Sequence, residues 1–294
     1  MPSLKDVKRQ IAGVGKTKQI TRAMGMVASA KLRGAQSRIE RFRPYAEKFN
    51  TMLGELATRT DGQAHPLLRS HDNGSVALIV LLSSDRGLCG GFNSNLVTTA
   101  INLAKSKEAE GKKVQFICVG RKGRDAVRKT SFEIIESYGD VMGDFDFRLA
   151  ARLGGTVSQL YEQEKADEVF LVYSEFAGMT RQVPMKLTLL PVQSSENENS
   201  EEAVTAQQEC IYEPEVGSLL AELLPRYVNV QIYRGLLDNS ASENAARMAS
   251  MDNATRNCDE LTNTLTLLYN KTRQAAITNE LIDIVGGANA QQSQ

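Results

Sequence analysis

The chain has 294 residues, 41% hydrophobic and 24% charged, with 35 basic and 35 acidic side chains, which fits one large globular domain or two. Four cysteines without CxxC spacing (Cys89, Cys118, Cys210, Cys258) and two histidines (His65, His71) give no reason to expect a metal and point to a reduced compartment. No apolar run approaches the roughly 20 residues of a bilayer span, and the opening MPSLKDVKRQ lacks a signal-peptide core and leaves little room for a removable leader.

The zero net charge hides an asymmetry. Residues 1–48 hold twelve Lys or Arg against Asp6, Glu40 and Glu47, a balance of +9, so the rest carries −9. A basic arm of this kind is either a solvated helix face or a surface steered toward an acidic partner, protein or nucleic acid.

Residues 1–60 read as an N-terminal coiled-coil helix. Leu4, Val7, Ile11, Val14, Lys18, Thr21, Gly25, Ala28, Leu32, Ala35, Ile39, Phe42, Ala46, Phe49, Leu53 and Leu56 recur in alternating steps of three and four. That alternation is a coiled-coil seam, on a helix on the order of 70–80 Å long. Pro44 falls inside the pattern and predicts a bend or local irregularity. At Lys18, Thr21 and Gly25 the seam is not hydrophobic, while Ile20, Met24 and Val27 form an apolar row beside it. That row is free to face a third surface. Met24, Met26, Met248 and Met251 read as adaptable packing near the seam.

After a polar connection, residues 74–192 read as an α/β domain. VALIVLL (76–82) is a strand covered on both faces, and Asn93 caps a helix to about Glu110. Strands at 114–119, 132–136, 168–173 and 182–192 alternate with helices at 121–129 and 147–163. Pro184 assigns the last strand to a sheet edge. The alternation predicts a largely parallel, three-layer, Rossmann-like sheet. Its tempting element is SSDRGLCGGFN (83–93), glycine-rich between strand and helix, where such folds bind phosphates. It matches neither GxxxxGK[ST] nor GxGxxG, and Cys89 has no histidine nearby in the sequence. A tight turn explains the glycines as well.

Residues 193–211 read as an acidic loop; seven glutamates and no basic residue lie between 193 and 215. Residues 212–294 read as the C-terminal coiled-coil helix, with Pro225 and Gly235 as irregularities. Ala241, Ala245, Met248, Met251, Ala254, Cys258, Leu261, Leu265 and Leu268 form its stripe, and Gly286-Gly287 its expected stop. A helix this long with so narrow a stripe needs a partner, and the first arm supplies one, antiparallel. No catalytic constellation emerges. A nucleotide-binding Rossmann-like enzyme and a nucleic-acid-binding coiled coil are the alternatives, though neither explains why the two chain ends carry matching stripes.

Three stretches carry a resemblance: ITRAMGMVASAKLRGAQ (20–36), SSDRGLCGGFN (83–93) and ASENAARMASMDNATRN…LYNKTRQAAITNELIDIVGGA (241–288). Together they resemble the gamma-subunit family of the F-type ATP synthase, although Gly25 stands where that family more often has a glutamate. The resemblance implies a central shaft of paired terminal helices inside a ring of three alpha and three beta subunits. It implies an α/β foot against the epsilon subunit and the membrane c-ring. Catalytic and nucleotide-binding residues would belong to other subunits, with no cofactor, metal or nucleic acid on this chain. By the same resemblance Arg22, Met24, Arg273, Gln274, Thr278 and Glu280 are rotor–stator contacts, and Tyr212 and Glu213 meet the c-ring. The expected location is peripheral, on the cytoplasmic face of a bacterial inner membrane.

Overall fold

The computed structural model describes residues 3–58, 65–69, 71, 74–192 and 216–292. Its elements in chain order are helix α1 (Leu4–Thr58), a single 3₁₀ turn at Pro66–Leu68, and strand β1 (Val76–Leu82). Then come α2 (Phe92–Ala109), β2 (Lys113–Val119), α3 (Arg121–Val127) and β3 (Glu133–Tyr138). The chain continues through α4 (Phe147–Glu162), β4 (Glu168–Phe176), β5 (Gln182–Leu190) and α5 (Val216–Gln292). Tyr212, Glu213 and the acidic segment lie outside the described residues. The chain divides into two compact units, Met1–Ser29 with Arg247–Gln294, and Ala30–Ala246.

Within Ala30–Ala246 a five-stranded sheet has the order β3-β2-β1-β4-β5. β1 pairs in parallel with β2 and β4, β2 in parallel with β3, and β5 closes the edge antiparallel to β4. Successive strand residues point to opposite faces, so the apolar run of β1 feeds two cores. Ala77, Ile79 and Leu81 meet Leu96, Ala100 and Val127 of α2 and α3. Leu78, Val80 and Leu82 share the other core with Leu153 and Val157 of α4, Phe49 and Leu53 of α1, and Leu224, Val228 and Leu236 of α5. The outer layer on that face is therefore built partly from both long helices. Each fully buried leucine there contributes roughly 2–3 kcal/mol.

The connection before β1 is tied to the sheet by one carboxylate. Asp167 Oδ2 accepts the N–H groups of Ser75 and Val76 at 2.8 and 2.9 Å, and Oδ1 lies 3.0 Å from His71 Nδ1.

Several expected boundaries move. Helix α1 continues through Pro44, which is exposed. Flanking aromatic contacts hold it: Phe42 packs edge-on to Tyr233 at 4.9 Å, and Tyr45 lies 5.8 Å from Phe49. Helix α5 likewise runs through Pro225 and past Gly286-Gly287. Glycine permits a stop without enforcing one, and the residues beyond are good helix formers. Gly235 is a site of close approach within a continuous helix. A Cβ there would meet Leu171 Cδ2 at 2.9 Å. Asn93 does not cap α2; Gly91 takes that position. The Asn93 side chain instead turns back to Ser84, accepting its N–H at 3.1 Å. Strand β3 starts and ends later than expected, and β4 is longer.

Asp238 of α5 lines a cleft of about 170 Å³ with Phe42, Arg43, Glu175 and Arg234. Burial pushes its carboxyl up to about 6; Arg234 and Arg43 oppose that shift, and Glu175 adds to it. The protonated form therefore suits the fold better than the ionised one. Its contribution is fully present below the ordinary carboxylate value of about 4 and is lost as pH rises through about 6. Asp238→Asn should raise stability at pH 8 by on the order of 1–3 kcal/mol and remove the decline between about pH 4 and 6. Thermal melts of both proteins across that range check this.

Candidate functional site: the paired terminal helices

In the unit formed by Met1–Ser29 and Arg247–Gln294, α1 and α5 lie antiparallel along one seam. Its register is read from three successive pairs. Lys18 Nζ binds Asp259 Oδ1, the Thr21 and Thr255 hydroxyls meet at 2.8 Å, and a Cβ at Gly25 would lie 3.5 Å from Met251 Cβ. Seven residues forward on α1, from Lys18 to Gly25, correspond to eight back on α5, from Asp259 to Met251, so the two helices run antiparallel. The seam expected on α1 is the one observed. Val7, Thr21 and Ala28 are buried, and Leu4, Ile11, Val14, Lys18 and Gly25 are half-buried.

The stripe expected on α5 needs a correction. Leu261 is 48% exposed and Leu268 38% exposed. The observed row is Met251, Thr255, Cys258, Thr262, Leu265, Tyr269, Thr272 and Ala276, in strict steps of four and three. A search for aliphatic side chains passes over its threonines. They suit a half-buried seam because Thr255, Thr262 and Thr272 each return their hydroxyl to the carbonyl four residues back, at 2.8, 2.8 and 2.9 Å. At Thr262 and Thr272 only methyl groups then need packing. The four-three alternation itself was the signal that could have found this row.

Outside the seam the two helices expose apolar side chains. Ile20, Met26 and Val27 are exposed on α1, next to half-buried Met24 and exposed Arg22. On α5, Ile277, Leu281, Ile282, Ile284 and Val285 are exposed. They lie beyond Thr272, which the register sets level with Leu4 at the start of α1. Arg273, Gln274, Thr278 and Glu280 are exposed on the same stretch, with the Thr278 hydroxyl donating to the Gln274 carbonyl at 2.9 Å. The structure thus groups these four on one segment of α5, and Arg22 with Met24 on one segment of α1.

The glycine-rich turn at 83–93, in the other unit, spends its polar groups internally. Asp85 accepts the N–H groups of Arg121, Asp140 and Met142 at 3.1, 2.8 and 2.9 Å. The Ser83 hydroxyl donates to the Val119 carbonyl at 3.0 Å and accepts the Gly123 N–H at 2.8 Å. Gly120 and Gly123 admit that approach, since a Cβ at either would strike Ser83. The loops after β1, β2 and β3 are thereby stitched together, which is the use the turn makes of its chemistry. Cys89 is buried within it, and burial pushes the Cys118 thiol up to about 12, far from a reactive thiolate. Leu88, at the tip, is 64% exposed in a left-handed conformation (φ 62°). Among the described residues no cluster of three metal-ligating side chains occurs, and no helix is long and apolar enough to cross a membrane.

A family model described as ATP synthase matches residues 3–291. The ATP synthase gamma chain of Nitratidesulfovibrio vulgaris strain Hildenborough is 62% identical over 290 residues, 99% of each chain. The chain belongs to the ATP synthase gamma-chain family. The gamma chain of Maridesulfovibrio salexigens is 60% identical over the same share of both chains. Among solved structures, the Tetrahymena thermophila mitochondrial ATP synthase central stalk and c-ring gives a TM-score of 0.59 at 26% identity. That match covers 80% of this chain and 99% of the other. A chain of the Euglena gracilis mitochondrial ATP synthase shares the fold, with a TM-score of 0.70 at 20% identity over 99% and 95% of the two chains. The gamma-chain fold, long terminal helices with a mixed α/β sheet between them in sequence, is the architecture built up above.

The polar centre of the seam should be its weak point. Amides around residues 18–25 should exchange faster in the isolated chain than those of residues 32–39, and strong protection at 18–25 would contradict this. Replacing both hydroxyl partners, Thr21→Val with Thr255→Val, should leave stability unchanged or raise it by about 1 kcal/mol. Thr21→Val alone should lower it.

Proposed function

We propose that the chain is the central-stalk rotor subunit of a proton-translocating ATP synthase. In this reading it has no catalytic site of its own and conveys rotation of a membrane c-ring to catalytic sites on beta subunits. Three alpha and three beta subunits surround its paired helices, and the epsilon subunit and c-ring meet its α/β domain. It is peripheral, on the cytoplasmic face of a bacterial inner membrane, and reaches the membrane only through the complex.

One observation carries this reading. The paired helices close on a seam whose centre, from Lys18 to Ala28, is small and polar, leaving Ile20 and Val27 outward, and α5 exposes further apolar residues from Ile277 to Val285. A self-sufficient hairpin would bury such side chains. A shaft that turns inside a sleeve needs them outside. Arg22 and Met24 on α1, and Arg273, Gln274, Thr278 and Glu280 on α5, are proposed to touch the surrounding subunits, and Tyr212 with Glu213 the c-ring.

The mechanism is differential contact. A shaft with different side chains around its circumference stabilises one conformation of each catalytic site over its alternatives, and rotation moves that preference from site to site. Moving a two-state site from 1:99 to 99:1 takes about 5.5 kcal/mol. Exposed ion pairs supply about 0–1 kcal/mol each. Several contacts must therefore act together, and no single one locks the shaft.

Arg273 is exposed and no ion pair is seen for it among the described residues, so Arg273→Glu should change the stability of the isolated chain by less than about 0.5 kcal/mol. In the assembled enzyme it should lower the rate of ATP synthesis. Unchanged synthesis would remove Arg273 from the set. Affinity purification of the wild-type chain should bring down a large complex with ATPase activity; its absence would reject the rotor reading.

A further inference from the structure

Every residue of α5 from Leu236 to Ala245 is buried, yet six of the ten are polar: Asp238, Asn239, Ser240, Ser242, Glu243 and Asn244. Buried polar groups are costly unless bonded. Two of them have a specific task at β4. The last pair between β1 and β4 is Leu81 with Val172, so Ser174, two residues on, has no strand neighbour on that side. On its other side it faces Pro184, which has no N–H to give. Ser174 is 1% exposed, so bulk water cannot serve it. Helix α5 serves it instead. Asn239 Oδ1 accepts the Ser174 N–H at 3.3 Å, and the Ser242 hydroxyl donates to the Ser174 carbonyl at 3.1 Å.

Both backbone groups of one strand residue are thus held by two side chains three apart on one helix face. The donor at Ser174 fixes which end of the Asn239 amide points inward. Its Nδ2 is left with no hydrogen-bond partner among the described residues, a cost expected of a group retained for its oxygen. Four residues earlier, Gly235 lets the α5 backbone close onto Leu171.

We propose that Asn239 and Ser242 are a rotational key: they set the angle of α5 about its own axis against the sheet and pass torque from the α/β domain into that helix. The proposal rests on the rotor reading. Apolar contacts at Leu236 and Leu237 press α5 onto the sheet, but such contacts are non-directional and yield gradually to axial turning. Hydrogen bonds to a fixed strand atom do not. A turn of roughly 20° displaces an atom about 5 Å from the helix axis by roughly 2 Å, which breaks both bonds. Helix α5 runs from Val216 to Gln292 with no break after residue 242.

The test uses the whole ATP synthase complex carrying Asn239→Ala, Ser242→Ala or Ser242→Thr, reconstituted into vesicles. Hydrolysis and ATP-driven proton uptake are measured on the same preparations. Both alanine variants should keep their hydrolysis rate while uptake per ATP hydrolysed falls about three- to tenfold. Ser242→Thr, which retains the hydroxyl, should restore the ratio. A parallel fall in hydrolysis and uptake, an unchanged ratio, or failure of both alanine variants to assemble would overturn the key, since the groups would then serve only the fold. Failure of the wild-type chain to enter any ATPase complex would instead reject the rotor reading on which the key depends.

Discussion

The constraint on which the structure depends is the need to cover the second face of the sheet. Helices α2 and α3 close one face, but α4 alone does not close the other. Phe49 and Leu53 from near the start of the chain, and Leu220 to Leu237 from beyond the acidic segment, complete it. The core on this face therefore draws on both ends of the chain, with Leu78, Val80 and Leu171 sharing it with side chains of α1 and α5. Both long helices thus contribute to Ala30–Ala246 as well as pairing with each other in the other unit.

The same helices change character along their length. In Ala30–Ala246, α1 offers large side chains, Leu32, Phe49 and Leu53 buried and Phe42 half-buried. In the terminal unit its seam is Ile11, Val14, Lys18, Thr21, Gly25 and Ala28, and α5 answers with threonines and Met251. Small and polar seam residues give up stability for closeness and adaptability. The strong packing anchors the helices; the weak packing leaves their outer rows available to neighbours.

How much of this could be read in advance depended on how local the signal was. The register of α1 was legible because its alternation is strict for more than fifty residues. The edge role of β5 was legible from Pro184, whose missing N–H forbids a central position. The family was legible in three stretches of unusual wording. The α5 row was half missed, because Thr262 and Thr272 disguise seam positions as polar surface until their hydroxyls are seen to bond within the helix. Asn93 looked like a cap because the residue type is right; its side chain was already engaged by Ser84. Asn239 and Ser242 carried no local sign at all. Their partner is the backbone of Ser174, 65 and 68 residues away in the chain, and nothing short of the folded sheet reveals it.

The tip of α5 has a consequence for how the protein is made. Ile277, Leu281, Ile282, Ile284 and Val285 are exposed on the stretch of α5 beyond Thr272. Exposed apolar surface of this kind is sticky, and more so at the concentrations reached during synthesis. A surplus copy is therefore a hazard to the cell rather than a reserve. A copy whose end stays uncovered risks aggregation, and the risk grows with the number of such copies.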